Sequence, residues 1–174
     1  MTRNNEGLAL DIDFNLSRGP RVFVERINIA GNTTTLDQVI RRQFKVVEGD
    51  ALNPREIRAS AERIRALGFF ASSNVTTREG SAPNQRIVEV SVTEKPTGNL
   101  KFGANYNSAN GVGLVASFSE ANFLGRGHTT SFGINTTSST RSFNFAFREP
   151  SLYNRDVSLS FGFDNERTSK SNAR

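Results

Sequence analysis

The side chains that could do chemistry in this 174-residue chain are few, and their spacing argues against catalysis. The single histidine, His128, sits in "GRGHTTSFG" with no carboxylate pattern nearby that would make an acid–base pair or a metal site, so it reads as an ordinary turn or strand residue. Residues 111–116, "GVGLVA", match a variant of the dinucleotide fingerprint by letters. A helix should follow those glycines, yet a two-residue alternation follows instead. Asn32, Asn74 and Asn135 open N-x-Thr sequons that read as chance. With no cysteine, disulfides are excluded and the redox compartment stays open. The expectation is a protein that is not an enzyme and uses no cofactor or metal.

The elements that carry these residues fall into two unlike regions. Residues 8–16, "LALDIDFNL", alternate apolar and polar side chains and read as one half-buried strand without a local partner. From residue 21 to 94 the order is strand, helix, helix, strand, strand. Phe23, Ile27 and Ile29 form one face of the first strand. Thr35 with Gln38 three positions on reads as a capping box for a helix carrying Leu36, Val39, Ile40 and Phe44. The second helix has Asn53 as cap, Pro54 in the first turn, a stripe of Ile57, Ala61, Ile64 and Leu67, and Gly68 as stop. A short strand over 74–78 and a longer one bearing Val88, Val90 and Val92 complete a compact α+β unit.

"EKPTGN", residues 94–99, punctuates a boundary, and beyond it the character changes. Five segments, 100–107, 112–119, 128–136, 141–148 and 156–164, alternate by two. Nine of the 14 Phe lie beyond residue 100, and the faces opposite the apolar ones carry Gly, Ser, Asn and Thr, with charges gathered at the joints. A soluble sandwich also alternates. The segment lengths, the small polar faces, and Tyr106, Phe123 and Tyr153 near segment ends instead point to tilted transmembrane strands with lipid on the Phe side. No run approaches the roughly 20 apolar residues of a membrane helix. The first residues also lack the basic-then-apolar pattern of a secretory signal.

The formal charge of +5 includes Arg41, Arg42, Lys45, Arg55, Arg58, Arg63 and Arg65 on the two helices, a solvated face or a contact for anionic headgroups or an acidic partner. No nucleic-acid signature accompanies them.

"INIAGNTTT", "VVEGDALNPREI" and "LGFFASSNV", followed by "FGANYNSANGVG", "ANFLGRG" and "FREPSLYNRD", resemble in order and spacing the BamA family of outer-membrane assembly factors, in which POTRA domains precede a β-barrel. The resemblance implies an α+β POTRA domain (β-α-α-β-β) at 20–96 and, at 97–174, the antiparallel first strands of an incomplete transmembrane β-barrel. Residues 1–19 would then be a remnant strand of a preceding POTRA domain. Five strands cannot close a barrel when the smallest have about eight, so the expectation is a piece of a longer protein.

The implied activity is assembly of β-barrel proteins into the bacterial outer membrane, with the POTRA domain in the periplasm. Nascent outer-membrane proteins, outer-membrane lipids and accessory assembly lipoproteins would be the partners, with no nucleic acid. Candidate site residues are the first barrel strand, Leu100, Lys101, Phe102, Gly103, Ala104, Asn105 and Tyr106, as a template edge. A POTRA edge strand, Asn74, Val75, Thr76, Thr77 and Arg78, is a peptide-docking candidate, and Pro96, Thr97 and Gly98 are an expected hinge crossed by few contacts. A related pore exporting a secreted protein, or a soluble sandwich module, are the alternatives.

Overall fold

The computed structural model describes residues 2–3, 10–11, 13–15, 19–108 and 111–169. Of the strand expected at 8–16, residues 8, 9, 12 and 16 lie outside the described residues. Its Leu10–Asp11 part, β2, pairs antiparallel with Thr2–Arg3, β1, so it does have a local partner, and residues 13–15 are exposed and not strand.

The α+β unit follows the order expected. β3 (Phe23–Ala30) leads to α1 (Asp37–Arg41), α2 (Pro54–Ala66), β4 (Phe70–Glu79) and β5 (Gln85–Glu94). The sheet order is β3-β5-β4, with β3 parallel and β4 antiparallel to the central β5. α2 forms for the reasons legible in its sequence. The Asn53 side chain accepts a hydrogen bond from Arg55 N at 3.0 Å, Pro54 occupies the first turn, and Gly68 takes the left-handed conformation past the end. Ile57, Ala61 and Ile64 are buried, while Leu67, at the helix end, is only partly so.

Two local expectations need correction. The buried residues of β3 are Val24 and Ile27, while Phe23 and Ile29 are half-exposed. Glu25 is an extra residue between the Val24–Arg86 and Arg26–Ile87 pairs, and this bulge shifts the two-residue parity partway along the strand. Thr35 does not cap α1. That helix starts after Leu36 with no side-chain cap, and its last turn tightens through Gln43 N to Ile40 O and Phe44 N to Arg41 O.

The hydrophobic core lies between Val24 and Val92, and it is built by α1 and α2 packing on one face of this sheet. Beyond it, β6 (Gly98–Asn107), β7 (Gly111–Phe123), β8 (His128–Thr136), β9 (Thr140–Glu149) and β10 (Leu159–Thr168) form one antiparallel meander. The fifth strand starts later and ends later than its periodicity suggested. A 3-10 turn at Leu152–Asn154 and the bond from Leu152 N to Val157 O use up residues before 159.

Register aligns the apolar side chains into rows: Leu100, Phe118, Phe132, Phe145 and Phe163 across all five strands, and Phe102, Ala116, Ile134 and Phe143 across the first four. Phe132 and Phe143 meet edge-to-face, and the pairs Phe143–Phe163 and Phe145–Phe161 meet tilted, at centroid distances of 5.1, 6.0 and 6.4 Å. The opposite face carries Lys101, Ser117, Gly133, Asn144 and Asp164 in register. Among the described residues no second sheet covers the Phe rows, and Phe102 is 77% and Phe163 49% exposed. An uncovered apolar face of this extent suits lipid.

Candidate functional site: two open strand edges and the junction between them

A three-stranded sheet has two edges, and the chain closes one of them. The segment between α1 and α2 lies along β3, with Val24 N donating to Asp50 O (2.8 Å), Gly49 N to Val24 O (2.7 Å) and Leu52 N to Val22 O (2.7 Å). Further along, Ile27 N donates to Glu48 Oε1 and the Arg41 guanidinium donates to Ile27 O, each at 3.1 Å. Backbone groups that would template a foreign strand are thus satisfied internally. Sequence reasoning missed this device; "VVEGD" with Gly49 was its only signal.

β4 is left as the open edge. The bond from Gly80 N to Gln85 O (3.0 Å) fixes which residues face β5, because antiparallel pairs alternate. Asn74, Thr76 and Arg78 therefore bond to β5, while Ser73, Val75, Thr77 and Glu79 turn their N–H and C=O groups outward. Of the five residues singled out in sequence, Val75 and Thr77 offer the outward backbone. Arg78 is tied across the sheet to Glu89 at 2.6 Å.

The second open edge is β6. Ala121 N donates to Thr97 O at 3.4 Å, in the same register as Gly98 with Glu120. Counting from that bonded pair, Asn99, Lys101, Gly103 and Asn105 bond to β7, and Leu100, Phe102, Ala104 and Tyr106 direct N–H and C=O outward. No described strand pairs with that side. The outward backbone groups thus belong to the residues whose side chains form the apolar face.

The link between the two units is not the sparsely crossed hinge that Pro96, Thr97 and Gly98 suggested. Gly98 already belongs to β6. Lys95 N bonds to Phe69 O (3.1 Å) on one side, and on the other Thr97 bonds through its carbonyl to Ala121 N and through its hydroxyl to the Glu120 carboxylate. The β7–β8 turn then docks on the loop before α1. Leu36 N donates to Gly125 O (2.9 Å), Asn122 Nδ2 donates to Thr35 Oγ1 (2.8 Å), and Asn122 Oδ1 accepts from Gly127 N (2.7 Å). Asn122 is buried, as is Thr35.

Gly125 permits this approach, since a Cβ there would stand 2.0 Å from Thr34 O. The partner loop is held in turn by Glu94, the last residue of β5, whose carboxylate accepts from Thr33 Oγ1 (2.7 Å), Thr34 N (2.9 Å) and Thr35 N (2.6 Å). Burial opposes its ionisation, but the hydrogen bonds from Thr35, Thr33 and Thr34 outweigh that and hold its pKa at about 2.

His128 has a carboxylate after all. Its imidazole meets Glu149, whose other oxygen accepts from Ser151 N (2.9 Å) and lies 4.0 Å from the Arg42 guanidinium. The partner comes from the end of β9, out of reach of local spacing. The group joins α1 to the β8 and β9 ends, and a Phe147 ring packs on the imidazole at 5.2 Å. Among the described residues no set of side chains is arranged to hold a metal ion.

Residues 22–95 match the POTRA family, described as "Surface antigen variable number repeat". The chain is 26% identical over 159 residues to the outer membrane protein assembly factor BamA of Neisseria meningitidis serogroup B, covering 91% of this chain and 20% of that protein. The crystal structure of BamA from Haemophilus ducreyi lacking POTRA domains 1–3 superposes with a TM-score of 0.76 at 25% identity, over 89% of this chain and 29% of that one. CdiB from Acinetobacter baumannii shares the fold at 12% identity, with a TM-score of 0.58 over 84% of this chain and 28% of that one. The chain spans about a fifth of the length of the curated relative from Neisseria. Residues 22–95 are a POTRA domain, and together with the barrel-type strands that follow directly from it they are similar to BamA proteins over most of the chain.

Proposed function

We propose that this protein acts in the assembly of β-barrel proteins into the bacterial outer membrane, by backbone pairing and without bond-making chemistry or a cofactor. The observation that carries the reading is β6, an open edge whose outward N–H and C=O groups lie along an uncovered apolar face. An edge of that kind can hydrogen-bond an incoming strand while keeping both strands' apolar side chains toward lipid. The residues offering the bonds are Leu100, Phe102, Ala104 and Tyr106, and Lys101, Gly103 and Asn105 hold the template to β7. The β4 edge, at Val75 and Thr77, is a second docking strand for an extended client segment on the periplasmic side. Nascent outer-membrane proteins are the clients in this reading, and the barrel strands contact outer-membrane lipid. Accessory assembly lipoproteins are further partners. Nothing in the fold favours an export pore over this reading.

Proline scanning in the full-length protein tests it. Proline at Phe102 or Ala104 removes an outward donor and is expected to impair client insertion while the barrel still folds, whereas proline at Lys101 or Gly103 disrupts the β6–β7 hairpin itself. Insertion that is unaffected by proline at both outward positions refutes the template.

A further inference from the structure

At the end of the meander remote from the POTRA domain, register sets two like charges side by side. Arg141 pairs with Arg167, in the row that continues Ala104, Leu114 and Thr136. The bond from Ser169 N to Ser139 O (2.7 Å) makes the Arg141–Arg167 pair, two residues further in, a hydrogen-bonded one, with Cα atoms about 5.5 Å apart. Both side chains lie on the Phe face by the two-residue period, both residues are exposed, and among the described residues neither guanidinium has a carboxylate partner. Like charges directly opposite in a sheet are destabilising, and a site that keeps them calls for an anion between them.

We infer that Arg141 and Arg167 form a binding site for the phosphate of an anionic lipid in the outward-facing leaflet. The inference rests on the reading that these strands cross the membrane. On β9, Arg141 and Glu149 are eight residues apart and bracket the Phe rows. At about 3.4 Å per residue that is about 27 Å along the strand, or about 21 Å of height at a tilt near 40°, close to the ~25 Å apolar band of an outer-membrane barrel. The arginines therefore stand at headgroup level on the side away from the POTRA domain, facing lipid rather than lumen. Two planar forks side by side can each donate in bidentate fashion to one phosphate. A free anion lacks the acyl chains that would lie along Phe143 and Phe163 below them, which favours a lipid-borne phosphate.

The test uses the full-length protein in nanodiscs of phosphatidylcholine doped with lipid A, extracted into mild detergent, with retained lipid A counted by native mass spectrometry. Wild type and the control R148Q, which removes the same charge from the polar face, are expected to retain lipid A. R141Q/R167Q should retain it about tenfold to thirtyfold less, because each substitution removes about one charge–headgroup attraction. R141E guards against a folding defect. It creates an opposite-charge pair with Arg167, so the sheet is kept while the anion site is abolished, and it too should fail to hold lipid A. Retention by R141E at the wild-type level overturns the inference, as does displacement of lipid A by an equal concentration of inorganic phosphate, which would mark a free-anion site. F132W, read by quenching from brominated acyl chains, checks the membrane reading separately. Quenching with no change in lipid A overturns this site alone, and absence of quenching overturns both.

Discussion

Replacing Asn122 with alanine should loosen the POTRA–barrel junction without touching either unit's interior. The side chain is 7% exposed and makes two bonds, donating to Thr35 Oγ1 at 2.8 Å and accepting from Gly127 N at 2.7 Å. Truncation leaves the buried Gly127 N–H without an acceptor, a loss of about 1–3 kcal/mol, while the Thr35 hydroxyl, free to rotate, loses a bond with a net value of about 1 kcal/mol. The sum, about 2–4 kcal/mol, falls on the opening of the junction. Amide exchange at Leu36 and Gly127 should accelerate by about thirtyfold to several hundredfold, since each 1.4 kcal/mol is a factor of about ten. Hydrogen-exchange mass spectrometry on the full-length protein reads this in peptides covering 33–37 and 121–128, with peptides over 87–92 as the internal reference. Combined with T35V, the double-mutant cycle should return a coupling of about 0.5–1.5 kcal/mol for the single Asn122–Thr35 bond. Unchanged exchange in both junction peptides, or a coupling of zero, would refute the assignment of Asn122 as the bridge.

Glu94 gives the junction a pH limit. Its folded pKa of about 2 lies below its ordinary value of 4.5, so its contribution is fully present above pH 4.5 and is lost as the pH falls toward 2. Nuclear magnetic resonance of the Thr34 and Thr35 amides should show their shifts titrating below pH 4 in wild type and flat in E94Q; titration that persists in E94Q would sink the assignment. Ile64→Ala, at a side chain with 0% exposure, should lower POTRA stability by about 2–5 kcal/mol, read as a shifted urea midpoint at constant slope.

What could be read from the sequence was what is local. α2 carries its own start, stripe and stop within sixteen residues, 53–68, and the barrel strands announce themselves by period because one face is apolar throughout. The β3 face was misassigned because a bulge at Glu25 changes parity without changing composition. Thr35 has the letters of a capping box, but its hydroxyl is used 87 residues away by Asn122. The same limit hid the Glu149 partner of His128, the cover over the β3 edge and the docked linker. Each depends on pairs brought together by the sheet order, and Pro96 and Gly98 signal only that the chain changes direction. The end of β10 was missed for a different reason. From Asp164 to Arg167 both faces are polar, so the alternation that marks a membrane strand disappears where the strand leaves the apolar band.

The chemistry of the junction differs from that of the core it adjoins, and the difference bears on how the two open edges relate. Val24, Ile64 and Val88 cohere through apolar burial, which is large and non-directional and tolerates small slips between surfaces. Between POTRA and barrel, among the described residues, Ala121 is the partly buried barrel side chain that packs on that core, and the other contacts are polar: Asn122 with Thr35, Leu36 with Gly125, Arg42 with Glu149, and Thr97 with Glu120 and Ala121. Net energies of such bonds are small, but their geometry is narrow, so together they select one pose at modest cost to break. β4 is bonded to β5, and β5 runs through three linker residues into β6. A junction fixed in direction therefore sets the angle between the β4 edge and the β6 edge, and one of low total strength lets that angle be released as a unit. An apolar junction of the same area would have bound the two units without specifying how their edges align.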